Sequence, residues 1–376
     1  MTKPPLNEIL LADIWRAFVI YDRSAINAQK RFLFLRLWIL RLSVVVTCVA
    51  VFHSQFPDIL VINTSFLIQL IPEFPKTINI LQIFVILIPI SVSILLAGAV
   101  KFDQGINWIF LRVSAETIKQ EIYQYRTHIG DYNDKNIRDI KFAQEIQNIN
   151  ERLMKTQVNQ SGLAWNKIKT DDKSSLLKTI HEAIGDKDKD PFSSLTAEQY
   201  LEYRLLDQLA WYRKKTLDLE KKWQLWQWLI YILGGVGTFL AAIKRDVWIA
   251  VTNAIAASSL SFLEFRQFDS TLIGYNQTAM NLQNILYWWN ALTPEARNDP
   301  KNVKKLVESS ERVIRSETTG WVQEMKDAMA NLYKVEEKDL PKDSKDDGSS
   351  EKAKSDDENL EEKPQEENPK PDVVED

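Results

Sequence analysis

Glycine and proline are scarce in this 376-residue chain, at 11 and 13 residues, about half the usual share for a globular domain. So few breakers leave long helices and few turns. That excludes sandwiches, barrels and glycine-rich phosphate cradles. A single cysteine, Cys48, excludes an internal disulfide framework. The three histidines, His53, His128 and His181, lie far apart and with one cysteine offer no metal-ligand spacing, so no metal site is expected. No nucleophile with a base, and no acid/base pair, rises above the background of solvated charges. No catalytic residue and no cofactor is therefore expected, and the chain reads as a non-enzyme. The one glycine cluster, Gly234-Gly235-Val236-Gly237, lacks a following Lys-Ser/Thr and sits inside an apolar run. What the chain has in excess is tryptophan, 12 residues.

The mean hydropathy of -0.25 and net charge of -4 resemble those of a soluble protein, but both are averages over unlike regions. Residues 336–376 hold 17 Asp/Glu against 7 Lys, a charge of -10, whereas the preceding residues, with 40 basic and 34 acidic, carry +6. The tail from 335 to 376 has no aromatic residue beyond its start and almost no aliphatic ones. It cannot bury enough apolar surface to offset the entropy of ordering, and is expected to be disordered and acidic.

The apolar residues are gathered into uncharged runs: 24 residues between Lys76 and Lys101, 21 between Lys222 and Lys244, 17 between Asp246 and Glu264, and 16 between Arg41 and Asp58. A helix needs about 20 such residues to cross the hydrocarbon of a bilayer. The runs predict spans at about 39–57, 78–100, 224–243 and 247–263, the first gaining length if Arg41 snorkels to the headgroups. The competing reading, a soluble bundle, is disfavoured because buried soluble helices rarely run so far without a charge. Trp38, Trp108, Trp223, Trp226, Trp228 and Trp248 lie at or near the ends of the runs, where an aromatic belt would sit. The opening segment MTKPPLNEILLADIWR has early acids and no separate apolar run before a cleavage site, so the first span is read as a membrane helix. Lys30, Arg31, Arg36, Arg41 and Lys101 outnumber Lys76 around the first hairpin; Lys214, Lys215, Lys221, Lys222 and Arg266 outnumber Lys244 and Arg245 around the second. The bias places both termini in the cytoplasm of a multi-pass protein of the inner (plasma) membrane.

The two hairpins read as copies. Offset by 191, Phe18/Leu209, Tyr21/Tyr212, Ala25/Thr216, Ala28/Leu219, Phe32/Trp223 and Leu35/Trp226 share a 3-4-3-4-3 spacing. Offset by 164, so do Trp108/Leu272, Leu111/Tyr275, Ala115/Ala279, Ile118/Leu282, Ile122/Leu286 and Tyr125/Trp289. Such a seam zips ingoing and outgoing helices into a coiled-coil-like stalk. Thr196-Ala-Glu-Gln199 reads as a capping box opening the second unit. The segment between the units is polar, with amphipathic stretches near 138–154 and 175–184. Residues 300–334 form a last amphipathic helix, with Val303, Leu306, Val307, Val313, Ile314, Trp321 and Met325 on its apolar face.

Small residues mark close-packing faces: Gly237 and Ala241 at four-residue spacing in the third span, with Gly234 one turn before, and Ala250 and Ala254 at the same spacing in the fourth. Polar residues within the spans are candidates for lining a water path in an oligomer: Thr252, Asn253 and Ser258 in the fourth, Gln82, Ser91 and Ser93 in the second, beside Pro89, which should kink that helix. Bonding between helices of a static bundle is the alternative reading of the same residues. The spans hold no charge, which disfavours a proton relay. Arg36, Arg41, Lys101, Lys221, Lys222, Lys244 and Arg245 read as lipid-headgroup anchors. Nucleic acid is not an expected partner, because the positive charge borders lipid and the tail is acidic.

The segment FDQGINWIFLRVSAETIKQEIYQYRT after the first hairpin resembles the post-membrane helix of SLATT domains, the SMODS- and SLOG-associating two-transmembrane effector family. TAEQYLEYRLLDQLAWYRKKTLDLEKKWQLWQWLIYI resembles the start of such a domain, with Arg204, Gln208, Trp211 and Tyr212 carrying the pattern. Leu306-Val307, Glu311, Glu317 and Trp321 resemble its C-terminal portion. The resemblance covers roughly 11–130 and 196–330. It implies an all-α membrane protein of two tandem SLATT-like hairpin units, 1–130 and 196–334, joined by a polar helical linker at 131–195. It also implies a membrane-perturbing or pore-forming effector of a bacterial conflict or signalling system, homo-oligomeric in the bilayer and answering to a cytoplasmic sensor or nucleotide-signalling partner. The chain departs from the simple pattern in carrying two units and no sensor domain. The alternative function is a non-conducting scaffold that recruits partners through stalk and tail.

Overall fold

The computed structural model describes residues 6–63, 77–102, 104–156, 158, 162–163, 173–185, 188 and 190–339. The acidic tail from residue 340 lies outside them, as does Lys76. Helix α1 (Leu6–Gln55) runs 50 residues without a break, about 75 Å at 1.5 Å per residue. A short antiparallel ladder follows, β1 (Val61–Asn63) on β2 (Thr77–Asn79), with Ile62 opposite Ile78. The chain returns through α2 (Ile80–Phe102), which continues through Pro89, and α3 (Gln104–Thr127). Helices α4 (Arg138–Met154) and α5 (Lys173–Ile184) separate the two hairpins. The second hairpin consists of α6 (Ala197–Ala242), α7 (Asp246–Arg266) and α8 (Phe268–Asn290). A short turn of helix, α9 (Pro294–Arg297), leads into α10 (Pro300–Asp339), which extends past residue 334. The fold is that of an all-α membrane protein: four helices are long and apolar enough to cross a bilayer.

Helix α6 begins where its sequence provides a cap. The Thr196 hydroxyl accepts from the Gln199 amide (3.2 Å), and the Gln199 side chain accepts from the Thr196 amide (2.9 Å). The turn into α7 holds Lys244 at φ 56°. A second left-handed residue, Gln267 at φ 49°, divides α7 from α8.

In the apolar part of the molecule the helices lie in a row, α2, α1, α7, α6. Helix α1 packs on both α2 and α7, and α7 packs on α6. Phe32 meets Phe265 at 5.7 Å near one end of the α1/α7 contact. Thr47 and Ser54 share a groove with Val247 and Ala250 near the other. The two hairpins therefore run the same way, with both turns at one end and the stalk at the other.

In the stalk, α1 zips along α3. Phe18, Tyr21, Ala25, Ala28 and Phe32 are buried, as are Trp108, Leu111, Ala115, Ile118, Ile122 and Tyr125. The seam of the second unit closes less fully. Leu209, Tyr212, Leu282 and Trp289 are buried, whereas Thr216, Leu219, Trp223, Leu272, Tyr275 and Leu286 keep part of their surface. The segment at 131–195 is more than a spacer. Phe142, Ile146, Ile149 and Leu153, one face of α4 at 4-3-4 spacing, join Leu176 and Ile180 of α5 in the core beneath α1 and α3. Arg126, buried at the end of α3, clamps the far end of this segment: it pairs with Asp188 and donates to the carbonyls of Asp190 (2.9 Å) and Ser193 (2.8 Å).

Candidate functional site

Helix α10 joins the two units through polar contacts that its apolar pattern does not announce. Arg204 and Glu311 are both buried. The Arg204 Nε and Nη2 atoms each donate to the Glu311 carboxylate at 2.9 Å, and the Tyr200 hydroxyl donates to the same group at 2.9 Å. Arg204 lies on a π-helical turn, Leu201–Leu206, inside α6. Such a bulge re-aims a side chain that a regular helix would present elsewhere. Its guanidinium also sits 4.9 Å from the ring of Tyr123 on α3, so the first unit shares in the contact. One to three turns along α10, Arg315 donates to Gln120 (3.0 Å), Tyr212 donates to Glu317 (3.0 Å), and Trp321 lies edge-on to Trp108 at 4.9 Å. Trp108 is thereby buried in the stalk and does not face an interfacial belt.

Between the two zipped pairs the stalk holds a cavity of about 760 Å³, bounded by α1, α3, α6, α8 and α10 and by the ends of α5 and α7. Its α1/α3 wall carries Asp22, Arg112, Glu116 and Lys119. Arg112 bridges Asp22 and Glu116, each at 2.7 Å. Burial pushes the Asp22 carboxyl up. The Glu116 carboxyl feels the same push, but the cations Arg112, Lys119 and Arg204 outweigh it and hold it below the usual range. Burial lowers Lys119. From the α10 wall Glu317 faces the cavity, and burial raises it to about 7 despite the hydrogen bond from Tyr212. Tyr275 rises to about 12 for the same reason. Toward the apolar helices the lining changes to Phe32, Phe265, Trp321, Lys222 and Arg266. Among the described residues no three His, Cys, Asp or Glu side chains converge on a metal-sized site.

The polar residues of the spans do not meet within one chain. Gln82, Ser91 and Ser93 are exposed on α2 and Asn253 is exposed on α7, with α1 between those helices. Ser91 and Ser93 bond the carbonyls of Leu87 (2.9 Å) and Pro89 (3.0 Å) in their own helix. Ser258 is half-buried. Thr252 departs from the sequence reading: it is buried, its hydroxyl bonds the Ile249 carbonyl at 2.9 Å, and it packs on Gly237, where a Cβ would stand 3.2 Å from its Oγ1. It is a packing residue of the α6/α7 hairpin. Of the small-residue faces, Gly237 is buried and Ala254 half-buried, whereas Gly234, Ala241 and Ala250 are exposed, because α6 ends the row and has one flanking helix.

Among the cations, Arg41, Lys221, Lys222, Lys244 and Arg245 are exposed where the apolar runs end, and the Lys101 side chain lies outside the described residues. Arg36 departs from the sequence reading. It is buried, 5.6 Å from the Phe32 ring, one turn along α1 from where Phe32 meets Phe265. Sequence reasoning also missed the group of Asp22, Arg112 and Glu116. Its one signal was charge flanking an otherwise apolar seam, Arg112 beside Leu111 and Glu116 beside Ala115.

The class is a multi-helix membrane protein whose spanning hairpins extend into a packed stalk. Within it, residues 200–321 match the family model described as SMODS and SLOG-associating 2TM effector domain 1, which supports the SLATT resemblance over the second unit. Residues 16–139 match a different model, described as protein of unknown function (DUF4231). No curated protein and no solved structure matches the chain.

Proposed function

We propose that the protein is a pore-forming membrane effector that works as a homo-oligomer, with stalk and termini in the cytoplasm of a bacterial cell. The observation that carries the reading is Asn253. It lies seven residues in from Asp246, about 10 Å along the helix, on an exposed face of α7 with no hydrogen-bond partner among the described residues. A primary amide facing hydrocarbon costs several kcal/mol unless it is bonded. A second copy or a file of water satisfies it. The effector wording of the family model matched by residues 200–321 supports the same reading.

We also read the two units as tandem copies. The reading rests on the two seams, whose 3-4-3-4-3 spacings align at offsets of 191 and 164.

Purified protein in liposomes is expected to release a trapped dye, and overproduction to collapse the membrane potential. Asn253→Leu is expected to lower the leak at least tenfold while the oligomer persists in native gels. Intact potential with no leak from the wild-type oligomer refutes the pore. A non-conducting scaffold is the second reading, favoured by the separation of Gln82, Ser91 and Ser93 from Asn253 within one chain. It predicts that crosslinking captures a partner on the stalk while the liposomes stay sealed.

A further inference from the structure

The arginines of the stalk divide into two kinds. Arg112, Arg126 and Arg204 each meet a carboxylate. Arg266 meets none among the described residues. Its guanidinium lies against the Phe268 ring, 5.7 Å away. Burial draws its guanidinium down from the ordinary value, with only Tyr275 opposing. A half-buried cation left without an anion is costly, so its place in the fold calls for explanation. Arg266 lines the stalk cavity at the level where the fourth span ends. Lys222, immediately before the third span, lines it there too, with Lys215 two turns higher. Phe32 and Phe265 supply apolar walls at the same level. Asp218 also faces the cavity, between the two lysines in sequence. The cavity's volume falls within the range of small-molecule sites, and its cationic end is the end next to the bilayer.

We infer that this end of the cavity is a phosphate-binding site, with Arg266 as the principal ligand and Lys222 as the second, and that a phospholipid headgroup fills it from the membrane. A guanidinium takes two phosphate oxygens at once and carries its own neutralisation when the ligand binds. The acyl chains of such a lipid continue along the apolar helices, so only the headgroup need enter. The inference requires only that the hairpins span a bilayer, and stands or falls apart from conduction.

The test uses the full chain in a neutral detergent, with thermal unfolding followed by circular dichroism. The probes are dioctanoyl phosphatidylglycerol, dioctanoyl phosphatidylcholine and inorganic phosphate. Phosphatidylglycerol is expected to raise the midpoint saturably, and phosphatidylcholine to act at least tenfold more weakly. Arg266→Gln should weaken the anionic lipid tenfold or more, Arg266→Lys less, and Lys222→Gln about threefold. Lys214→Gln removes an exposed charge of α6 outside the cavity lining and should change nothing. Saturable stabilisation by inorganic phosphate, lost in Arg266→Gln, keeps the site and makes a free anion its ligand. No saturable effect of any probe overturns the inference. So does equal weakening by Lys214→Gln and Arg266→Gln, which would mean diffuse surface charge. If Arg266→Gln does not fold, Lys222→Gln on its exposed side chain decides: unchanged binding there overturns the site.

Discussion

Removing the Glu311 carboxylate should do more damage than its single pair of charges implies. Glu311 accepts three hydrogen bonds at 2.9 Å, two from Arg204 and one from Tyr200, in a site with almost no solvent. Glu311→Ala leaves the Arg204 guanidinium buried without an anion and the Tyr200 hydroxyl without an acceptor. Breaking a buried ion pair from one side costs about 3–5 kcal/mol, and an orphaned hydroxyl adds about 1–3 kcal/mol. Relaxation of the π-helical turn and entry of water reduce the sum, so a loss of about 4 kcal/mol is expected, about 5 °C in a chain of this size. Replacing both partners, as in Arg204→Met with Glu311→Leu, removes the desolvation cost together with the attraction and should recover most of the loss. Unfolding of the full chain in detergent by heat and by denaturant measures all three variants. A loss under 1 kcal/mol in Glu311→Ala, or a double variant no better than the single, refutes the view that this pair joins α10 to α6.

Two further perturbations test the cavity and the membrane hairpin. Glu317 has a folded-state value raised to about 7 from an ordinary 4.5, so the native state holds its proton more tightly than the unfolded chain. The stabilising contribution is full below about pH 4.5 and is lost as pH rises through about 7. Between pH 5 and 8 the wild type should lose on the order of 2 kcal/mol relative to Glu317→Gln, read as the difference between their stability profiles; parallel profiles exclude the assignment. Gly237→Leu should strain the α6/α7 crossing, where even a Cβ would meet Thr252 Oγ1 at 3.2 Å, and cost about 1–3 kcal/mol, partly recovered by adding Thr252→Ala. Gly234→Leu, with nothing within 4 Å of its Cβ position, should be neutral or stabilising; equal effects at the two glycines would remove the crossing as the cause.

The features legible in the sequence were those set by local rules. Bilayer thickness fixes the length of an uncharged run, so the spans near 78–100 and 224–243 could be read residue by residue. Helix periodicity fixes which residues share a stripe, so the seam from Phe18 to Phe32 could be paired with that from Trp108 to Tyr125. The Thr196–Gln199 cap is a rule of four residues. The faces that lacked a signal depend on a neighbour chosen at long range. Thr252 and Asn253 are adjacent and equally polar, yet about 100° of helical rotation puts one against Gly237 and leaves the other exposed. Arg36 reads as a surface cation until packing around α1 buries it.

By itself, then, the sequence determined that the chain is helical, that four stretches match a membrane, and that each hairpin carries its own zipping stripe. Only the tertiary structure decided that α10 is held to α6 through Glu311 on Arg204, and to the first unit through Arg315 on Gln120 and Trp321 on Trp108. It alone set the hairpins side by side through α1 and α7, and left a charged cavity where the two stalk pairs meet. The physical reason is range: hydropathy and periodicity act along one helix, whereas the cost of a buried charge is settled by whichever distant residue arrives to answer it.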